Sequence, residues 1–241
     1  MSTNLAQQLR EGTTKAHSMA ENVSFVKSFL VGVIDKKSYR GLVANLFFIY
    51  SALEKAIEIN KHHHVVQSIY FPELNRKLSL QKDLEYYYGP NWETQIYPSP
   101  ATKIYVDRIT NISFNQPELL ISHAYTRYMG DLSGGQILKR IAQTAMNLSS
   151  SDGTAFYNFD DIKDDKKFKS IYRQALDNAP INHIQIETII TEANIAFNLN
   201  MRIFEELNSN FIKIIGMLLL SVITSLRRKL FKIKYYLLQD V

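Results

Sequence analysis

The chain has 241 residues, 46% hydrophobic and 21% charged, which suits one large globular domain or a domain with an appendage. It contains no cysteine, which excludes disulfides, a thiolate iron ligand, a cysteine nucleophile and a cysteine-held iron–sulfur cluster. Residues 211–241 hold six of the 28 Lys and Arg but one of the 23 Asp and Glu; the +5 net charge therefore sits in the tail and argues for no nucleic-acid partner.

The first ten residues have neither an apolar signal core nor an Arg- and Ser-rich transit segment, so the chain is expected to stay where it is made and not be secreted. Residues 3–20 read as an amphipathic helix with Leu5, Leu9, Thr13, Ala16 and Ala20 along one side and His17 one residue from that seam. A short apolar run, 25–31, follows. Asp35 is a credible N-cap for a long helix to about residue 61, striped by Leu42, Leu46, Ile49, Leu53 and Ile57. Pro72 opens a helix that ends before Gly89-Pro90, and another covers 100–112. Asn115 and Pro117 announce a long glycine-bearing helix through about 148. The polar stretch 149–165 reads as a loop, 166–178 as a short basic helix, and Pro180 opens a last core helix through 208. No strand pair is predicted, so the fold class is all-α, a multi-helical bundle.

The tail differs in kind. Residues 214–226 are an uncharged run of thirteen, below the roughly 18 needed to cross a bilayer. Ile212, Ile215, Leu219, Val222, Leu226 and Leu230 form a helical stripe with Arg227, Arg228 and Lys232 off it. That fits a basic amphipathic helix on a membrane or partner, and equally a segment that folds back over the core. The division is 1–209 for the main domain and 210–241 for the tail.

The glycine-bearing helix holds the sharpest signal. Gly130, Gly134 and Gly135 interrupt a strong helical pattern, each at about 1 kcal/mol relative to Ala. Arg127, Gly130, Asp131, Gly134 and Leu138 share one stripe, and Arg127 stands four residues before Asp131, where the two can pair. Such bare backbone admits either a close helix crossing or a bulky flat ligand, and the adjacent glycines allow a bend. The Asp between them favours the ligand. A phosphate loop is excluded by the absent GK[ST] ending. The His62-His63-His64 run points its rings in different directions and reads as a solvated helix end. A lone helical His17 would by itself be a poor ligand candidate.

The run HAYTRYMGDLSGGQILKRIAQ (123–143) closely resembles the distal helix of the haem oxygenases of the mammalian, plant and cyanobacterial type, and the likeness extends over nearly all of residues 3–209. TTKAHSMAEN (13–22) resembles that family's proximal segment. The resemblance implies haem b as both prosthetic group and substrate, with His17 on the iron, Glu21 orienting the ring, and the Gly130, Gly134 and Gly135 surface on the other face. It implies that Arg10, Tyr125, Lys169 and Arg173 hold the propionates. Asp131 would deliver protons through water, with Tyr50 (in FFIYSALEKAIE), Arg127 and Asn200 (in AFNLNMRIFEEL) supporting it. A packed tyrosine or a capping asparagine would also explain Tyr50 and Asn200. The implied reaction opens the ring at the α-meso carbon with O2 and external electrons, giving biliverdin, carbon monoxide and ferrous iron.

Without a flavin or nicotinamide fingerprint, the electrons are expected from a partner, reduced ferredoxin in the plant and cyanobacterial branch or another reductase. Abundant Ile, Asn, Lys and Tyr, whose codons are AT-rich, point to a plastid genome. The expected setting is the plastid (chloroplast) stroma or a cyanobacterial cytoplasm, and the expected state a monomer. The rival reading is a haem-binding protein that stores or senses haem without cleaving it.

Overall fold

The computed structural model describes residues 3–148 and 152–207. The predicted tail, 210–241, and its membrane or core contact lie outside the described residues. Ten α-helices are present among them, with short 3₁₀ turns between and no strand: α1 (Leu5–Gly12), α2 (Thr14–Glu21), α3 (Ser24–Leu30), α4 (Lys36–Ile59), α5 (Lys77–Tyr88), α6 (Pro100–Asn115), α7 (Leu120–Ala124), α8 (Gly130–Ala145), α9 (Asp165–Asp177) and α10 (183–207). Within them, no helix is long and apolar enough to cross a membrane.

The core forms around α4, whose 24 residues span about 36 Å. Asp35 starts it as expected, its carboxylate accepting from the Ser38 N–H at 2.9 Å. Leu42, Leu46, Ile49 and Leu53 are buried against α5 and α6, each worth about 2 kcal/mol. Ser99 caps α6, with Pro100 at its first position.

Three elements depart from the sequence reading. The first helix breaks at Thr13, whose hydroxyl turns back to the Leu9 carbonyl at 2.7 Å. At the end of α1 a Cβ on Gly12 would come 2.5 Å from Ile190 Cγ2, so only glycine lets α1 cross α10 this closely. Pro72 opens a 3₁₀ turn, not α5, which begins at Lys77 and ends at Gly89 with φ +83°.

The third departure concerns the glycine helix. It does not lose its α pattern at Gly134-Gly135; Gly130–Ala145 is α-helical throughout. The irregularity lies one turn earlier, where Tyr125–Met129 forms a π-helical turn between α7 and α8. A π turn holds one residue more than an α turn, so the buried side of α7 and that of α8 need not follow one straight stripe.

A turn within the predicted loop is clamped by α5 and the residue before it. Asp83 accepts the Ala155 and Phe156 N–H groups at 2.7 and 2.8 Å, while the buried Arg76 donates to the Phe156 and Asn158 carbonyls. The clamp presses Phe156 onto the Tyr50 ring, 5.4 Å between centroids, and brings Tyr157 beside Gly135 of α8. An Asn side chain offers one acceptor where Asp83 offers two. Asp83→Asn should therefore lower unfolding free energy by about 1–3 kcal/mol. Burial also raises the Asp83 carboxyl from 3.8 to about 6, so its contribution is greatest below the unfolded value and is lost as pH rises through about 6. Urea unfolding at two pH values reads both effects; equal stability of the two proteins at each pH would rule the clamp out.

Candidate haem site

α3 packs on both α2 and α8, and so joins the helix carrying His17 to the helix carrying the glycines. His17 stands on the outer side of α2, with its Nδ1 3.5 Å from Glu21 Oε1 and side-chain exposures of 60% and 61%. A carboxylate at Nδ1 orients the ring and leaves Nε2 for a ligand. The ring also meets Phe197 of α10 edge-on at 5.8 Å. Asn200 follows one turn later on the same helix, so α10 reaches from His17 to the polar groups around Arg127 of the π turn.

Those groups form a connected set. Tyr50 of α4 donates its hydroxyl proton to Asp131 Oδ2. Arg127 Nε donates to the Tyr50 oxygen at 3.0 Å, one terminal nitrogen donates to Asn200 Oδ1 at 2.7 Å, and the other lies 3.8 Å from Asp131 Oδ1. Burial raises the Asp131 carboxyl above the usual range, with Arg127 and Tyr50 only partly offsetting it. Burial likewise holds the Tyr50 hydroxyl protonated, well above its ordinary value. For Arg127, burial opposes the charge and the neighbouring Tyr50 and Asp131 more than restore it.

Next to this set the helix surface is empty. A Cβ built on Gly130 or Gly134 meets nothing within 4 Å, so the backbone there faces open space that any side chain would fill. Gly135 is different: its Cβ would lie 3.5 Å from Tyr157, on the packed side of α8. The reason is rotation, because five residues of α-helix carry a position about 140° round from Gly130. The bare face is thus made by Gly130 and Gly134.

The four predicted propionate groups also converge. Tyr125, in the π turn, is half-buried beside Thr13, with Arg10 of α1 and Arg173 of α9 as its charged neighbours. Lys169 lies one turn before Arg173, its Nζ 3.5 Å from the Leu132 carbonyl of α8. Residues from three helices thus set cations and a hydroxyl along one edge, where a pair of carboxylates would be held by charge-assisted bonds. Iron held through one imidazole, a flat ring against bare backbone and acid groups at a cationic edge all fit haem. A cleft of about 250 Å³ beside α4, lined by Ser51, Glu54, Tyr70, Phe71 and Tyr128 among others, contains none of these residues.

Sequence reasoning missed four groups behind Asn200: Tyr105, Arg108, His123 and Glu192. His123 is fully buried, with Nε2 2.9 Å from Glu192 Oε1 and Nδ1 3.3 Å from the Tyr105 hydroxyl. The signal was present in part, since His123 precedes Arg127 by four residues and Glu192 precedes Asn200 by eight.

A helical bundle that sets an exposed imidazole, a glycine-lined open face and a cationic edge where haem would fit has the make-up of a haem-degrading enzyme. The heme oxygenase family profile matches residues 3–206. A heme oxygenase of Pyropia yezoensis is 64% identical over 95% of this chain and 96% of its own length, and heme oxygenase 1 of Nostoc sp. is 57% identical over 95% and 96%. The crystal structure of heme oxygenase-1 from the cyanobacterium Synechocystis sp. in complex with heme superposes with a TM-score of 0.87 at 56% identity, covering 91% of this chain and 99% of that one. The chain belongs to the heme oxygenase family. It is an all-α enzyme whose substrate is haem.

Proposed function

We propose that the protein opens haem at the α-meso carbon with O2 and electrons from reduced ferredoxin, releasing biliverdin, carbon monoxide and ferrous iron. The supporting observation is a protonatable carboxyl, Asp131, fixed by Tyr50 and Arg127 beside the open backbone of Gly130 and Gly134. When bound, haem supplies the iron that activates O2 next to the ring carbon under attack.

The chain's own residues do the rest. His17, oriented by Glu21, holds the iron from one side. Gly130 and Gly134 leave space for a macrocycle and a small ligand. Arg10, Tyr125, Lys169 and Arg173 hold the propionates and fix the ring's rotation, which decides the meso carbon presented. Asp131, whose carboxyl burial raises above its ordinary value, is placed to pass a proton to oxygen through water, while Tyr50 and Asn200-held Arg127 keep the carboxyl in place. The algal and cyanobacterial relatives support ferredoxin as donor and a plastid stroma or cyanobacterial cytoplasm as setting. The enzyme is taken to act as a monomer.

Chromatography of the products tests this reading. Turnover with reduced ferredoxin should give one biliverdin isomer, the α form, and omission of ferredoxin should stop it. The double variant Lys169→Ala, Arg173→Ala should give two or more isomers because the ring can rotate. A single unchanged isomer would remove the propionate role from that edge, and turnover without ferredoxin would reassign the donor.

A further inference from the structure

The hydrogen bonds behind Asp131 have a direction that elementary donor chemistry fixes. A guanidinium has donors only, so both groups to which Arg127 donates a hydrogen bond must turn an oxygen towards it. Tyr50 accepts from Nε and therefore sends its own proton to Asp131. Asn200 accepts through Oδ1, which turns its amide nitrogen away, towards the Tyr105 oxygen at 3.5 Å and the Ala196 carbonyl at 2.8 Å. With its oxygen facing an N–H, Tyr105 gives its proton to His123 Nδ1 at 3.3 Å. A neutral ring that accepts at Nδ1 carries its proton on Nε2, and Nε2 faces Glu192 at 2.9 Å.

Glu192 closes this arm. Its carboxylate only accepts, taking two bonds from Arg108, at 2.9 and 2.5 Å, besides the one from His123. Every proton therefore runs outward from Arg127 and ends on a carboxylate: Asp131 on one arm, Glu192 on the other. His123 is 0% and Glu192 2% exposed, so water cannot stand in for a missing acceptor. Burial keeps His123 below the ordinary histidine range, hence neutral. Burial would raise Glu192, yet the bonds from His123 and Arg108 hold it at about 2.

We propose that Glu192 is a positioning residue for haem cleavage: acting through His123, Tyr105 and Asn200, its carboxylate holds the Arg127 guanidinium that directs the Tyr50 proton onto Asp131. In Glu192→Leu the oxygen shared by Arg108 Nε and His123 Nε2 is gone. The His123 tautomer then reverses, Tyr105 loses its acceptor, and Arg127 is held on one side only. The proposal rests on Asp131 as proton donor, but its test does not use turnover, so either idea can fail alone.

The test is nuclear magnetic resonance on the haem-free full chain. In the wild type, nitrogen shifts of His123 should show the neutral Nε2–H tautomer; an Nδ1–H tautomer overturns the proposal. In Glu192→Leu, the carboxyl titration of Asp131 should move up by about one pH unit as its donors loosen. Tyr105→Phe serves if Glu192→Leu does not fold, since it keeps the ring and removes the linking hydroxyl; the Asp131 titration should rise there too. A merely structural Glu192 would lower the melting temperature and leave the Asp131 titration in place. That result, in either folded variant, overturns the link.

Discussion

Asp131→Asn should slow ring opening by about 100- to 10,000-fold while the Soret band of bound haem stays unchanged, the range expected when a positioned proton donor is removed. Asn keeps the shape and can still accept from Tyr50 through its oxygen, so the network around Arg127 persists. What it lacks is a proton to release. Single-turnover absorbance on one haem-loaded sample measures this directly. A variant that turns over at the wild-type rate would take proton delivery away from Asp131.

His17→Ala should weaken haem binding by about 100-fold or more and abolish the spectrum of an imidazole-ligated iron. Changes around a metal ligand alone cost about 10- to 100-fold, and here the ligand itself is lost. The contact with Glu21 at 3.5 Å orients this solvent-facing ring and leaves its Nε2 for iron. Added imidazole should restore the spectrum by occupying the vacated space. An unaltered spectrum in the variant would move the axial ligand to another residue.

Much of the helical order was legible because caps and stripes are local signals. Asp35 and Pro100 mark their helices as their chemistry requires. The π turn at Tyr125–Met129 was not legible, because its i to i+5 hydrogen bonds are a backbone choice set by what Tyr125 and Arg127 reach, and no residue type announces it. The Gly134-Gly135 pair lies in unbroken α-helix, and the change in hydrogen-bond pattern falls one turn earlier. Helical rotation separates the two, sending Gly134 to the open face and Gly135 to Tyr157.

The site shows the same division. Asp131, Arg127, Gly130 and Gly134 sit within one short run, where spacing is informative. The arm through Tyr105, His123 and Glu192 joins three helices across large sequence separations, and only packing brings it together. Arg76 was missed for a related reason. A lone arginine reads as a surface residue, yet this one is buried and bonded to backbone carbonyls of a distant turn. Its partners are main-chain atoms, which carry no sequence signature.

The most direct check is one turnover of the wild-type protein loaded with haem and given O2 and reducing equivalents. The account predicts that the Soret band bleaches, a bilin absorption replaces it, and about one carbon monoxide is released per haem. A stable dioxygen complex, with the haem recovered intact after the electrons are spent, would contradict it and leave a protein that carries haem without breaking it.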